Sequence, residues 1–311
     1  MNNRLFNWCL FVLLCFVWGS SFILMKKSLI GLSVVEIASF RIFSAGVVFI
    51  PFAVIHISKI PRKKMGLVIL AGLFGNLLPA YCFVITINKL DSSLASILNS
   101  LTPLCVAVIA IAFFHDKIRF QKMIGILTGF AGLCLLTLSQ NTISFHNLPF
   151  ALFAVAATVM YGINVNLVGH YLKDVKPIHL STVSLSFMAI PSAIVLWQQG
   201  FFQLDFSNSS IQRAALNATL LGLGPSAFAT VIFYMLVQRA SGLFASLVTY
   251  AIPFVAIGWG VLDGEKITFI EMVALCIILF GVYLANRPDK KQNDLPVGKS
   301  SENFGREKAE T

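Results

Sequence analysis

Residues 94–103, LASILNSLTP, recur 150 positions later as FASLVTYAIP at residues 244–253. Each stretch lies inside a long apolar run and each ends on a proline, Pro103 or Pro253. Downstream the register slips to 149: Asp116-Lys117-Ile118-Arg119-Phe120 meets Glu265-Lys266-Ile267-Thr268-Phe269, then Met123 meets Met272 and Gly132 meets Gly281. Ancient duplication explains this better than chance. The chain therefore divides into two related blocks, residues 1–140 and 146–288, and a polar, mixed-sign stretch at 289–311 that reads as a disordered cytoplasmic tail.

Lipid is the expected solvent for both blocks. With 57% hydrophobic residues, 12% charged residues and a mean hydropathy of +0.84, the chain carries more apolar surface than a soluble domain buries. A helix crossing a bilayer needs about 20 apolar residues. Such runs predict spans over 5–25, 33–55, 65–88, 93–114, 120–138, 148–169, 179–199, 214–237, 241–262 and 267–286. The fold class that follows is an all-α membrane protein, ten transmembrane helices in two five-helix halves. An odd number of crossings per half inserts the second copy upside down, an inverted repeat of the kind transporters use. Residues 5–25 read as the first span and not as a signal peptide, because no small-x-small exit follows the apolar run.

The formal charge of +10 does not point to nucleic acid, since the basic residues sit between spans and in the tail. With the N-terminus inside, 14 Lys and Arg up to residue 291 fall on the cytoplasmic side and 5 on the other. The positive-inside rule thus predicts that both termini are cytoplasmic.

Polar groups inside the spans also recur. On a helix advancing 100° per residue, Ser96, Asn99, Ser100 and Pro103 share one face, mirrored by Ser246, Thr249, Tyr250 and Pro253. Gly72, Asn76, Pro79 and Phe83 form a stripe on the third span, echoed by Gly222, Ser226, Ala229 and Phe233 on the eighth. Trp18 and Ser21 on the first span have the spacing of Tyr161 and Asn164 on the sixth. Aromatic rings beside amides and hydroxyls suit a pocket for a small polar solute, and the same groups also serve interhelical packing. Prolines in matching spans, Pro51 with Pro191, Pro79 with Pro225 and Pro103 with Pro253, mark candidate cavity walls, the last pair as gating elements.

Charge within the bilayer is rarer. Arg41 lies two turns into the second span, and Glu36 stands near the mouth of the same helix. Arg41 has three readings: snorkelling outward, pairing with Glu36 or a helix end, or holding an anionic group of a solute. No carboxylate or histidine lies near mid-membrane, which disfavours proton coupling unless Glu36 supplies it. Gly125, Gly129 and Gly132 give the fifth span one small-residue side, suited to close helix packing and to a subunit interface, so a homodimer is left open. The six cysteines lie singly inside spans and read as apolar filler. Without a P-loop, a dinucleotide turn, a metal-ligand cluster or a nucleophile elbow, the sequence suggests no cofactor, no ATPase motor and no enzyme.

In order and spacing, Trp18-Gly19-Ser20-Ser21-Phe22, Arg41, the Ser-rich run to Pro103 and Asp116-Lys117-Ile118 before a glycine-bearing span resemble the EamA-type members of the drug/metabolite transporter superfamily over residues 5–288. The resemblance implies a central cavity lined by spans 1–4 and 6–9, with spans 5 and 10 at the side. It also implies export of small metabolites such as amino acids by alternating access, in a bacterial inner membrane or elsewhere. The substrate-binding set expected is Trp18, Ser21, Arg41, Asn76, Ser96, Asn99, Ser100, Tyr161, Asn164, Ser246, Thr249 and Tyr250, with Glu36, Pro103 and Pro253 for coupling or gating. A channel or a solute receptor that does not transport is the alternative. The small multidrug-resistance relatives carry an acid in their first helix, and the first span here has none.

Overall fold

The computed structural model describes residues 3–90, 95, 98–139, 149–262 and 268–285. Among them there is no strand. Six helices are long and apolar enough to cross a membrane: α1 (Arg4–Ser28), α2 (Val34–Lys59), α3 (Arg62–Lys89), α6 (Ala151–Tyr171), α7 (Pro177–Gln198) and α8 (Ser209–Arg239). Four more are shorter and apolar: α4 (Thr102–Phe114), α5 (Phe120–Ser139), α9 (Val248–Leu262) and α10 (Phe269–Ala285). Their outward faces carry bare aromatics: Phe113, Phe120, Trp197 and Phe269 are 75–79% exposed. Water would not tolerate so many large apolar side chains, whereas lipid does. The protein is a multi-pass membrane protein.

Local sequence explains the element ends. Ser33 caps α2: its hydroxyl accepts from the Glu36 amide at 3.3 Å, and the Glu36 carboxylate accepts from the Ser33 amide at 2.7 Å. This capping box satisfies two backbone donors that a helix start leaves open. It also holds the Glu36 carboxylate, one of the candidate partners of Arg41, at the helix terminus. Pro103 sits in the first turn of α4, where its missing N–H costs nothing. It therefore starts a helix, while its counterpart Pro253 lies inside α9.

Two long helices widen part-way along their length. Leu73–Leu77 in α3 and Gly222–Phe228 in α8 are π-helical and begin 222 − 73 = 149 residues apart. Such segments displace backbone carbonyls and cluster at functional sites. Beside them, glycines allow close approach. A Cβ on Gly72 would meet the Ser184 carbonyl oxygen of α7 at 2.9 Å, and one on Gly222 would meet the Arg41 carbonyl oxygen of α2 at 2.6 Å.

Helix partners follow one scheme. The two most extensive pairings are α2 with α7 and α5 with α10. Otherwise α1 packs on α8 and α9, α6 packs on α3 and α4, α8 meets α2, and α7 meets α3. Gly125, Gly129 and Gly132 belong to the α5–α10 seam: a Cβ on Gly125 would lie 2.8 Å from the Gly281 carbonyl oxygen, and one on Gly132 2.9 Å from the Ile278 amide. The glycine side expected to suit a subunit interface is thus covered by the chain's own α10. At one end of the bundle, Lys64 forms an ion pair with Asp174 and donates to the Tyr171 carbonyl at 2.9 Å, and Gln238 Nε2 donates to the Leu172 and Val175 carbonyls, both at 2.9 Å. Lys64 holds the Asp174 carboxyl below the usual carboxylate range.

Candidate functional site

Between the π segments lies a chamber of about 90 Å³. Helix α1 contributes Trp18 and Ser21, α2 contributes Arg41, α3 contributes Asn76, and Asn99 enters from the helical residues just before the turn that leads into α4. From the second half come Tyr161 and Asn164 of α6, Thr249 of α9 and Ser246 just before it. These nine residues were expected together from sequence, and one cavity gathers them. Its polar atoms come from both halves, which suits a small hydrated solute.

Three expected residues do not join them. Ser100 is fully buried and donates to the Thr249 carbonyl at 3.2 Å, tying the two halves together behind the chamber. Tyr250 points away from it: the ring packs against Gly129 of α5, and the hydroxyl donates to the Ile126 carbonyl at 2.8 Å. Tyr250 is a packing residue, and the hydroxyl spacing that suggested otherwise reflects its need for a buried acceptor. Ser96 lies outside the described residues, as do the Glu265-Lys266-Ile267 motif and the tail.

The wall also holds residues the sequence set omitted. Thr230 and Tyr234 follow Ser226 at intervals of four, so the face that begins at Ser226 runs down α8. Thr230 Oγ1 shares its one proton between the Ser226 carbonyl at 2.5 Å and Asn76 Oδ1 at 3.0 Å, and the Tyr234 hydroxyl shares its own between the Ala71 carbonyl at 3.3 Å and Asn164 Oδ1 at 3.4 Å. That periodicity was the available signal. Met25 and Thr102 also line the cavity, and nothing in their spacing marked them out.

Arg41 sets the electrostatics. Its Nε and Nη2 donate to Ser226 Oγ at 3.1 and 3.0 Å, and Nη1 reaches Met25 Sδ at 3.8 Å. Among the described residues no carboxylate comes within 4.0 Å of it, which removes the expected Glu36 pairing. A cation held only by a hydroxyl and a thioether is poorly compensated in a low-dielectric site. Among the described residues the chamber wall carries no Asp, Glu or His. Aromatic rings complete it: Trp18 donates to the Pro225 carbonyl at 3.0 Å and lies 5.1 Å from the Phe233 ring, while Phe83 and Tyr161 stack at 6.0 Å.

The model of the EamA-like transporter family matches residues 6–138 and again residues 148–287. The chain belongs to that family. An archaeal relative from Archaeoglobus fulgidus, described as an uncharacterized transporter, is 24% identical over 290 residues, 90% of this chain and 99% of its own. A chloroplastic WAT1-related protein of Arabidopsis thaliana is 26% identical over 91% of this chain and 70% of its own. One crystal structure, 16% identical, superposes with a TM-score of 0.69 over 89% of this chain and 95% of its own, a likeness of fold alone. Both matched segments contribute to the wall of the polar chamber, and a membrane-transport role outside enzyme chemistry accords with relatives named as transporters.

Proposed function

We propose that this EamA-like protein is a facilitative carrier that exports small polar metabolites by alternating access between two inverted five-helix repeats. The observation that carries the reading is the chamber itself: helices of both halves converge on one polar cavity that holds a cation and, among the described residues, no acid or histidine of its own. Proton-driven carriers place such titratable groups along the path. The exchange of partners supports the inverted repeat, because adding five to each helix number turns the α1–α9 contact into α6–α4 and α1–α8 into α6–α3. The matched π segments and the family's double match support it too. The four shorter apolar helices support a reading of ten crossings, and the surplus of Lys and Arg supports cytoplasmic termini in a bacterial inner membrane. Opening toward the end held by Lys64–Asp174 and Gln238 would require those contacts to part.

The reading is tested by reconstituting the full chain in liposomes and following efflux of a broad metabolite mixture by mass spectrometry. Saturable flux of at least one small polar solute, unaffected by collapse of a pH gradient, is expected. No flux for any solute would sink it, and stepwise conductance in planar bilayers would show a channel instead.

A further inference from the structure

The seam between α2 and α7 joins one helix from each half, and its two ends differ. Pro51 and Pro191 set an offset of 140 between these helices. At that offset, one end carries Glu36, Ser39, Leu196 and Gln199 where the other carries Lys176, His179, His56 and Lys59. The basic end is therefore not a product of the duplication. There the His56 and His179 rings meet, with centroids 4.4 Å apart and planes tilted by 55°. The single proton of Thr182 Oγ1 goes back along α7, to the Ile178 carbonyl at 2.7 Å and the His179 carbonyl at 3.3 Å. His56 Nδ1, 3.1 Å from the same oxygen, is then the donor to it. Neutral His56 thus keeps its proton on Nδ1 and a lone pair on Nε2. His179 Nδ1 is sealed and has no partner among the described residues. Neither Nε2 is sealed or bonded among them, so each ring meets its surroundings through that atom. Lys59 and Lys176 both act on His179 through their charge. Among the described residues neither lysine has a carboxylate within 4.0 Å. Residues 56–64 and 171–179 hold six Lys and Arg against one acid, Asp174, which Lys64 already pairs. Helix α7 also starts without a side-chain cap, so its open amide end adds to the positive field. Beside this cluster, Val48, Phe52 and Ile55 are 47–61% exposed and share one face of α2 with Lys59. A lipid-facing apolar ladder therefore runs up to unpaired cations.

We propose that this end of the α2–α7 seam is a site for the phosphodiester headgroup of an anionic phospholipid, held by Lys59, Lys176 and the Nε2 atoms of His56 and His179, with an acyl chain along Val48, Phe52 and Ile55. The lipid bridges the two matched segments at their most extensive pairing. Lysine ammonium groups at a membrane surface attract anionic headgroups as point charges. His56 donates through Nε2 only once a second proton arrives, because Nδ1 stays with Thr182. Lipid binding and ring protonation therefore favour each other, and the affinity for the lipid rises as pH falls. From α2 and α7 the charged groups that bear on the two rings are Lys59 and Lys176, and from α3 Lys64 is spent on Asp174. A transition metal, the other ligand a histidine pair suits, is opposed by the two ammonium groups. The inference needs the chain to lie in a membrane and does not need it to carry a solute.

The test uses the purified full chain in detergent at fixed ionic strength. Phosphatidylglycerol and phosphatidylcholine with the same acyl chains are titrated in, and bound lipid is counted by native mass spectrometry. Phosphatidylglycerol should bind at least about tenfold more tightly at pH 6, and this preference should shrink at least about threefold by pH 8. Its diester stays singly charged over that range, so the change belongs to the protein. Lys59→Gln combined with Lys176→Gln should bring the two lipids within about twofold of each other. Arg62→Gln combined with Lys63→Gln removes the same charge from the same end and should leave most of the preference. His56→Asn keeps an N–H toward Thr182 and should flatten the pH dependence. Equal binding of the two lipids, equal losses in both double variants, or an unchanged pH dependence in folded His56→Asn would overturn the proposal. So would competition by free inorganic phosphate at concentrations equal to the lipid, which would make the ligand a soluble phosphate. Nickel ions that displace the lipid and stabilise the chain, but not the His56→Asn variant, would make the pair a metal site and overturn it too. Should a variant fail to fold, the comparison of the two lipids across pH on the unaltered chain decides alone.

Discussion

The seam between α5 and α10 and the chamber between α3 and α8 are both built from small residues on apolar helices, yet they do opposite work. In the seam, Gly125, Gly129 and Gly281 bring backbone against backbone, and a Cβ on Gly281 would lie 2.6 Å from Gly129 Cα. In the chamber, Gly75 stands at a similar distance from side chains: its Cβ would meet Asn164 Nδ2 at 2.5 Å and the Tyr234 hydroxyl at 2.8 Å. Close approach of helices closes the first region, while π segments and amides hold the second open. Small residues thus do not by themselves mark an interface or a pathway. What decides is whether the neighbour presents backbone or polar side chains.

The contrast can be broken at four places, in falling order of effect. Gly281→Leu should abolish folded protein, since neither backbone can retreat, at a cost of more than about 3 kcal/mol; the readout is the yield of monodisperse protein in detergent. Tyr250→Ala opens a cavity behind the chamber and should cost about 3 kcal/mol, seen as a lowered midpoint of thermal unfolding. Loss of transport with unchanged stability in that variant would return Tyr250 to the solute path. Arg41→Lys keeps the charge and loses the planar fork. It should fold normally and raise the half-saturating solute concentration roughly tenfold, or ~1.4 kcal/mol, in liposome flux. Asp174→Asn, at the bundle end, should change stability by no more than about 0.5 kcal/mol, because the pair with Lys64 is partly exposed. The sign is fixed by the depressed Asp174 carboxyl. Its contribution is present at neutral pH and fades as pH falls through that lowered value, so the parent and variant unfolding midpoints should converge in acid.

Much of this molecule was legible in one dimension. Apolar runs of 20 residues can be satisfied only by helices in lipid, so the spans follow from composition and length. The internal repeat carried the polar faces with it, which is why Trp18, Ser21, Asn76, Asn99, Tyr161, Asn164, Ser246 and Thr249 could be named before any of them met. Periodicity fixes the face of a helix but not the neighbour that face meets. Tyr250 and Thr249 differ by one position, or 100° around the helix axis. Only the packing of α5 decided that one joins the chamber and the other binds Ile126. Likewise Glu36 is five residues from Arg41, yet the capping box at Ser33 claimed it first, because an open helix terminus lies closer than the guanidinium. The sequence by itself determined that this chain crosses a membrane many times and which faces of its helices are polar, since both follow from local periodicity and from the cost of bare backbone in lipid. The tertiary structure alone decided which polar faces converge, where Arg41 finds Ser226 at 185 residues' separation, and that the His56 ring meets that of His179. Long-range partners are set by how helices pack, and no local pattern encodes that.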